Sequence, residues 1–233
     1  MKRFILATAL AIAAIEQPLL FGRGFNITTA KKIIPTTEIA RAKSASFYYN
    51  RGIDKYEAGD YYGAISDYNK AIEINPRYGD AYYNRGLAKG DLKDFRGEIA
   101  DYNKAIEINP RDYDAYNNRG LAKSNLGDDY GAISDYNKAI EINPSYSGAY
   151  NNRGNSKDEL KDNYGAIADY SKAIEINPRD SDAYNNRARA KYMLGDMKGS
   201  CTDAKKAASL GNEESQKILS GSIGAKMCGS SRN

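Results

Sequence analysis

Lys70-Ala71-Ile72-Glu73-Ile74-Asn75-Pro76 returns letter for letter at 104–110, 138–144 and 172–178, each copy 34 residues after the one before. A fixed period of that length marks an array of one supersecondary unit, stacked so that neighbours bury what a single unit cannot. Around the first copy, Ala64, Ile65, Tyr68, Ala71 and Ile72 fall at i, i+1, i+4, i+7 and i+8. That spacing is one apolar stripe of a helix, and Pro76 stops it because proline cannot continue the hydrogen-bond ladder. Upstream, Tyr48, Gly52 and Tyr56 also keep helical spacing, and Gly59-Asp60 supplies a turn between the two segments. Each unit therefore predicts a helix–turn–helix hairpin, with small residues where the two helices must approach.

The period divides the chain into units at 45–78, 79–112, 113–146 and 147–180, with a degenerate fifth at 181–214. Residues 212–220 predict a short capping helix with Asn212 as its N-cap, so the array is expected to run from 45 to 220. Units one and three share Gly59 and Gly127 at the turn, whereas units two and four carry Lys93 and Lys161 there. This alternation suggests a duplicated pair of repeats. Glu98 stands where the second helix otherwise places a small alanine, which predicts looser packing in unit two.

Composition narrows the function. The 233 residues include no His and no Trp, with 41% hydrophobic residues and a mean hydropathy of −0.69. Without His, the usual general base, the usual metal ligand and the Ser-His and Cys-His arrangements are missing. The acidic residues recur once per repeat, whereas an active site is a single unusual place. The sequence thus predicts a protein that is not an enzyme and uses no cofactor and no metal. The net charge of +4 is mild, and the Lys column at 70, 104, 138 and 172 is followed three residues later by Glu73, Glu107, Glu141 and Glu175. Such pairing reads as a self-neutralised helix face and argues against nucleic acid as a partner.

The ends differ from the array. Met1-Lys2-Arg3 followed by an apolar run to Ile15 fits the basic and apolar parts of an export signal, so 1–21 is read as a signal-like or anchor segment. Export or membrane tethering is the expectation, to a periplasmic or lumenal compartment, with a cytoplasmic location as the alternative. Residues 22–44 lack a period and read as a linker, and 221–233 as a flexible tail. Cys201 takes the place of Ile65, Ile99, Ile133 and Ile167, a small buried position, and Cys228 lies in the tail. In an exported chain a Cys201–Cys228 disulfide could pin that tail over the last helix.

The spacing of Gly52, Ala64, Tyr68, Ala71 and Pro76, repeated as Gly120, Ala132, Tyr136, Ala139, Pro144 and as Gly154, Ala166, Tyr170, Ala173, Pro178, resembles the tetratricopeptide repeat family. The resemblance implies an all-α fold, a right-handed superhelix of five hairpins with its concave face lined by the first helices. Two departures stand out. Arg51, Arg85, Arg119, Arg153 and Arg187 occupy a position where the family usually has Leu, and Lys follows each four residues later. Asp67, Asp101, Asp135, Asp169 and Asp203 border the apolar stripe of the second helix and need partners. Together they predict a structural ladder of Arg–Asp ion pairs along the stack.

The positions that the family uses for ligands fall on Asn50, Asn84, Asn118, Asn152 and Asn186, beside Tyr49, Tyr83, Asn117, Asn151 and Asn185. A column of Asn offers donors and acceptors to an extended peptide backbone of any sequence. The cationic clamp of chaperone-binding relatives is absent, and Glu57, Asp91, Asp158 and Glu159 make the margins acidic. The expected partner is therefore a neutral or basic protein segment held in a peptide-binding groove, as on a non-enzymatic interaction scaffold. The alternative is an N-terminally anchored structural protein of the cell envelope that self-associates through its convex face. The oligomeric state is left open.

Overall fold

The computed structural model describes residues 36–229, with side chains from residue 44 onward. Ten helices pair into five consecutive hairpins: α1 (Thr36–Glu57) with α2 (Tyr61–Ile74), α3 (Gly79–Asp91) with α4 (Phe95–Ile108), α5 (Tyr113–Asn125) with α6 (Asp129–Ile142), α7 (Ser147–Glu159) with α8 (Asn163–Ile176), and α9 (Ser181–Met193) with α10 (Met197–Ser209). Two short helices follow, α11 (Glu213–Ser220) and α12 (Ser222–Met227). No strand occurs among the described residues.

The recurring heptapeptide explains where each second helix ends. Its Ala is buried against the neighbouring helices. Its Asn caps the helix, donating its backbone N–H to that Ala carbonyl, while the Asn side chain accepts from the backbone N–H two residues on. The polar residues stay outside: Lys104–Glu107, Lys138–Glu141 and Lys172–Glu175 pair at 2.7–2.8 Å across one turn. Lys70 differs, lying over the Tyr48 ring at 5.3 Å. At the other end, Asp60, Asp94, Asp128, Asp162 and Asp196 each cap a second helix by accepting from the N–H of the glycine three residues later. A Cβ on any of these glycines would collide with the capping carboxylate, so the cap and the glycine come as a pair.

Within a hairpin, the buried rings of Tyr68, Tyr102, Tyr136 and Tyr170 press on Gly52, Gly86, Gly120 and Gly154 of the first helix. A Cβ there would come within 2.5–2.7 Å of the ring at Gly52, Gly120 and Gly154, closer than real contacts allow, and within a tight 3.0 Å at Gly86. The turns take a left-handed residue at Gly59 (φ 78°), Gly127 (φ 81°) and Gly195 (φ 81°), and at Lys93 (φ 61°) and Lys161 (φ 66°). The two lysines accept a conformation that costs an L-residue about 1 kcal/mol.

Each second helix packs on the first helix of the next hairpin, and first helices also approach each other directly, α1 on α3, α5 on α7 and α7 on α9. This places the first helices along the inner face of the stack. Two boundaries differ from the sequence reading. Helix α1 starts at Thr36, so the stretch read as a linker over 22–44 is helical from 36; no glycine or proline interrupts 36–51. The signal-like segment 1–21 and the rest of that linker lie outside the described residues. The tail over 221–233 is also partly ordered, because α12 folds back onto the last hairpin. There Ala188 and Ala204 replace the Gly and Tyr of the other units, and Met227 packs into the space the ring would take.

Candidate functional site

Three periodic layers run along the stack, and the arginine of each first helix holds one of them together. Arg119 Nε and Nη2 donate to the two carboxylate oxygens of Asp135 at 2.9 and 2.6 Å. The same fork joins Arg51 to Asp67, Arg85 to Asp101, Arg153 to Asp169 and Arg187 to Asp203, always within one hairpin. Each Asp also meets the Lys one turn along the first helix, as in Lys123–Asp135 at 2.8 Å. A carboxylate almost wholly buried thus keeps two cations, which is what its desolvation requires. The Arg51 fork, with Lys55 beside it, holds the Asp67 carboxyl down at about 2 against the opposing effect of burial.

The remaining guanidinium nitrogen reaches backward. Arg85 Nη1 donates to Asn69 of the preceding hairpin at 2.5 Å, Arg119 to Asn103, Arg153 to Asn137 and Arg187 to Ser171. Each guanidinium also lies over the ring of the Tyr three residues before it, 5.1–5.6 Å from the centroid. The sequence showed the Arg and Asp columns but neither the second cation nor this backward contact. The i, i+4 spacing of Arg and Lys was a usable signal for the first. Arg51 has no preceding hairpin among the described residues, and its side chain is 40% exposed, against 17% for Arg119. At the far end the position of Asn69 is taken by Lys205, a cation that accepts nothing.

The asparagine column forms a second layer. Asn84 donates to Tyr49 Oη and Asn118 to Tyr83 Oη, each at 2.8 Å. Asn152 donates to Asn117 Oδ1 at 3.0 Å, and Asn186 to Asn151 Oδ1 at 3.3 Å. Every one of these bonds crosses from a repeat to its predecessor. An amide N–H of Asn84, Asn118, Asn152 and Asn186 is therefore a strap between first helices. Asn117 and Asn185 are corrected outright, being only 5% and 7% exposed. Asn117 lies under the face, and Asn185 is covered by the cap, donating to Glu214 and accepting from Ser215 Oγ. Asn50, at the open end of the stack, is exposed.

What remains open on the inner face varies along the stack. One column runs Ile53, Leu87, Leu121, Asn155, Arg189, and the next Glu57, Asp91, Asn125, Glu159, Met193. Asp91 accepts from Tyr56 Oη at 2.6 Å and Arg189 pairs with Asp158 at 3.0 Å, so part of the acidic margin is already satisfied. A cavity of about 280 Å³ opens on this face, where α5, α7 and α9 meet, with Leu121, Asn155 and Glu159 in its wall.

Glu98 breaks the order more deeply. It is 7% exposed where alanine stands in units one, three and four, and Gly90 leaves room for its carboxyl. Burial pushes that carboxyl up to about 7, with Asp91 and Asp94 adding to the shift and the Tyr102 hydroxyl opposing it. Beyond the last repeat, Cys201 and Cys228 are joined by a disulfide with Cα atoms 5.1 Å apart. Among the described residues no group of His, Cys, Asp and Glu is arranged to hold a metal ion, and no helix is long and apolar enough to cross a membrane.

Models described as tetratricopeptide repeat match residues 79–112, 113–146, 147–180 and 170–199, and one described as TPR repeat matches 54–93. Uncharacterized protein MJ0572 of Methanocaldococcus jannaschii is 46% identical over 39 residues, which are 17% of this chain and 45% of that protein. The match thus spans less than half the length of that relative. Among solved structures, the crystal structure of MamA protein superposes with a TM-score of 0.66 at 25% identity, covering 76% of this chain and 94% of MamA. YrrB, described as a TPR protein with an unusual peptide-binding site, gives a TM-score of 0.61 at 18% identity over 79% of this chain and 91% of YrrB.

Proposed function

Because the chain belongs to the tetratricopeptide repeat family, a family of non-catalytic interaction scaffolds, we propose that it holds an extended polypeptide along the inner face of its stack. One observation carries this reading. Most buried columns and those of the recurring heptapeptide repeat almost without change, whereas the inner columns at 53 and 57 differ from repeat to repeat. A surface that serves only the array has no need to vary along it. A surface that follows a partner of non-repeating sequence does. The peptide-binding site in the description of YrrB is in keeping with it, on a similar fold.

The partner is a neutral or basic segment, since Glu57 and Glu159 are exposed acids of this face with no ion-pair partner among the described residues. The basic start and apolar run of 1–15 favour export or tethering, and the Cys201–Cys228 disulfide is of the kind that persists in oxidising compartments. The asparagines keep a part in the binding through the carbonyl oxygens of Asn84, Asn152 and Asn186, with an amide N–H of each used between repeats.

The test is to pan a random-peptide display library against the full chain and measure the enriched peptides by fluorescence anisotropy. Leu121→Ser, on the inner face, is expected to weaken them about tenfold by removing apolar contact. Tyr62→Ser, at the exposed start of a second helix, is expected to leave them unchanged. Loss with Tyr62→Ser and not with Leu121→Ser would move the binding surface elsewhere.

A further inference from the structure

The cavity on the inner face has a composition of its own. It lies at the junction of three repeats, with Leu121 from α5, Asn152, Asn155 and Glu159 from α7, and Asn186 and Arg189 from α9. At about 280 Å³ it is smaller than the roughly 300–1,000 Å³ of small-molecule sites, and suits one long side chain.

Its hydrogen bonds and ion pairs leave two amide oxygens and one negative charge unspent. Asn152 spends one amide N–H on Asn117, and Asn186 donates to Asn151 and to Asn155 Oδ1, the latter at 3.0 Å. The amide oxygens of Asn152 and Asn186 accept no hydrogen bond among the described residues. The orientation of Asn152 is fixed by a run of donors in one direction, Asn152 to Asn117, Asn117 to Asn118, and Asn118 to Tyr83. The one cation of the cavity, Arg189, is taken by Asp158 through two nitrogens at 3.0 and 3.2 Å. The neighbouring Glu159 is exposed and has no ion-pair partner among the described residues. What is left over includes two carbonyl oxygens and one unpaired carboxylate, beside the half-exposed side chain of Leu121, together with the amide N–H groups of Asn155 and the second N–H of Asn152.

We propose that this cavity seats a lysine or arginine side chain of the bound polypeptide, its alkyl stem on Leu121 and its charged head toward Glu159 and the two asparagine oxygens. A lysine head has three donors, an arginine head five, and neither has an acceptor, the complement of the two amide oxygens and the carboxylate. A long basic side chain also buries its stem on apolar surface while the head stays hydrated, which fits a cavity open on one side. An acidic side chain would meet Glu159, and a purely aliphatic one would cover the two oxygens without bonding them. The inference rests on the groove reading above and adds to it a fixed basic residue opposite repeats three to five.

The experiment uses the full chain and the peptides enriched from the display library, each resynthesised with its basic residue changed, lysine to norleucine or arginine to citrulline. A preference for a basic residue is expected, with about tenfold weaker binding on its replacement. Glu159→Lys should weaken the parent peptide to a similar degree without moving the melting temperature. It should weaken the norleucine peptide no further, and should bind better than the unaltered chain does a peptide carrying glutamate at that position. If neutral replacements and Glu159→Lys leave affinity unchanged while Leu121→Ser still weakens it, the cationic pocket is wrong and the groove reading stands. If no peptide is enriched, or if Leu121→Ser is silent, both fail.

Discussion

The third hairpin and the fifth are built on the same 34-residue plan, yet they close their cores in opposite ways. In the third, the Tyr136 ring presses on Gly120, and neither residue could be changed alone. In the fifth, Ala188 faces Ala204, and the volume a ring would occupy is filled from outside by Met227 of α12, with Cys201–Cys228 fixing the chain that delivers it. The difference shows that a repeat packed on both sides must carry its own filling, whereas a terminal one can borrow it from the tail. The second-helix position of Glu98 makes the same contrast among polar groups. Ser200 occupies it in the fifth hairpin and donates to the Ala188 carbonyl at 2.8 Å, while the Glu98 carboxyl is buried among other acids.

The most direct way to break the comparison is Tyr136→Ala, which gives the third hairpin one residue of the fifth without the tail that accompanies it. Deleting a buried ring of this kind costs about 3–5 kcal/mol, read by denaturant unfolding. A loss below about 1 kcal/mol would mean that the hairpin does not depend on its ring. The matching change at the other end is Cys228→Ser. Closing a loop with a sequence separation of 27 contributes about 3 kcal/mol, so hydrogen exchange should accelerate in α10 to α12 and leave α5 and α6 protected. Uniform acceleration would show that the fifth hairpin is not a separate end piece. Equal mass of native and reduced protein after alkylation would show that the thiols are free.

Much of this was legible beforehand. The period, the helix stripes, the stop at Pro76 and the close approach at Gly52 all follow from spacing, because a repeated contact writes itself into the chain several times over. The Arg and Asp columns were visible for the same reason. What was hidden depends on one repeat meeting another: the backward reach of Arg119 to Asn103, and the asparagine straps that place Asn117 under the face. A single repeat carries no sign of its neighbour's side chains. The ordered tail was hidden too, since a short Gly- and Ser-rich segment gives no period to read.

Smaller changes sharpen the picture. Arg119→Leu leaves Asp135 with Lys123 alone and removes the link to Asn103, for an expected loss of about 2 kcal/mol by thermal melting. An unchanged melting temperature would reduce the fork to decoration. Glu98→Gln should show the smallest effect and a distinctive pH dependence. The folded carboxyl titrates near 7 against 4.5 for the free group, so between those values the unfolded chain releases its proton first. Stability from the neutral acid is therefore full below about pH 4.5 and is lost as pH rises through 7. Allowing for solvent at its edge, the variant should gain about 1–2 kcal/mol over the parent at pH 8 and nothing at pH 4. A gain independent of pH would assign the effect to packing.

Lys205 has a consequence for the history of such a chain. Every interior arginine finds an Asn or Ser oxygen on the unit before it, so a copy inserted anywhere inside the array inherits a working junction. A unit appended after residue 210 would bring its arginine to Lys205, where two cations meet and no oxygen is offered. The molecule can lengthen from within, by duplication of its middle, and is closed to growth at that end.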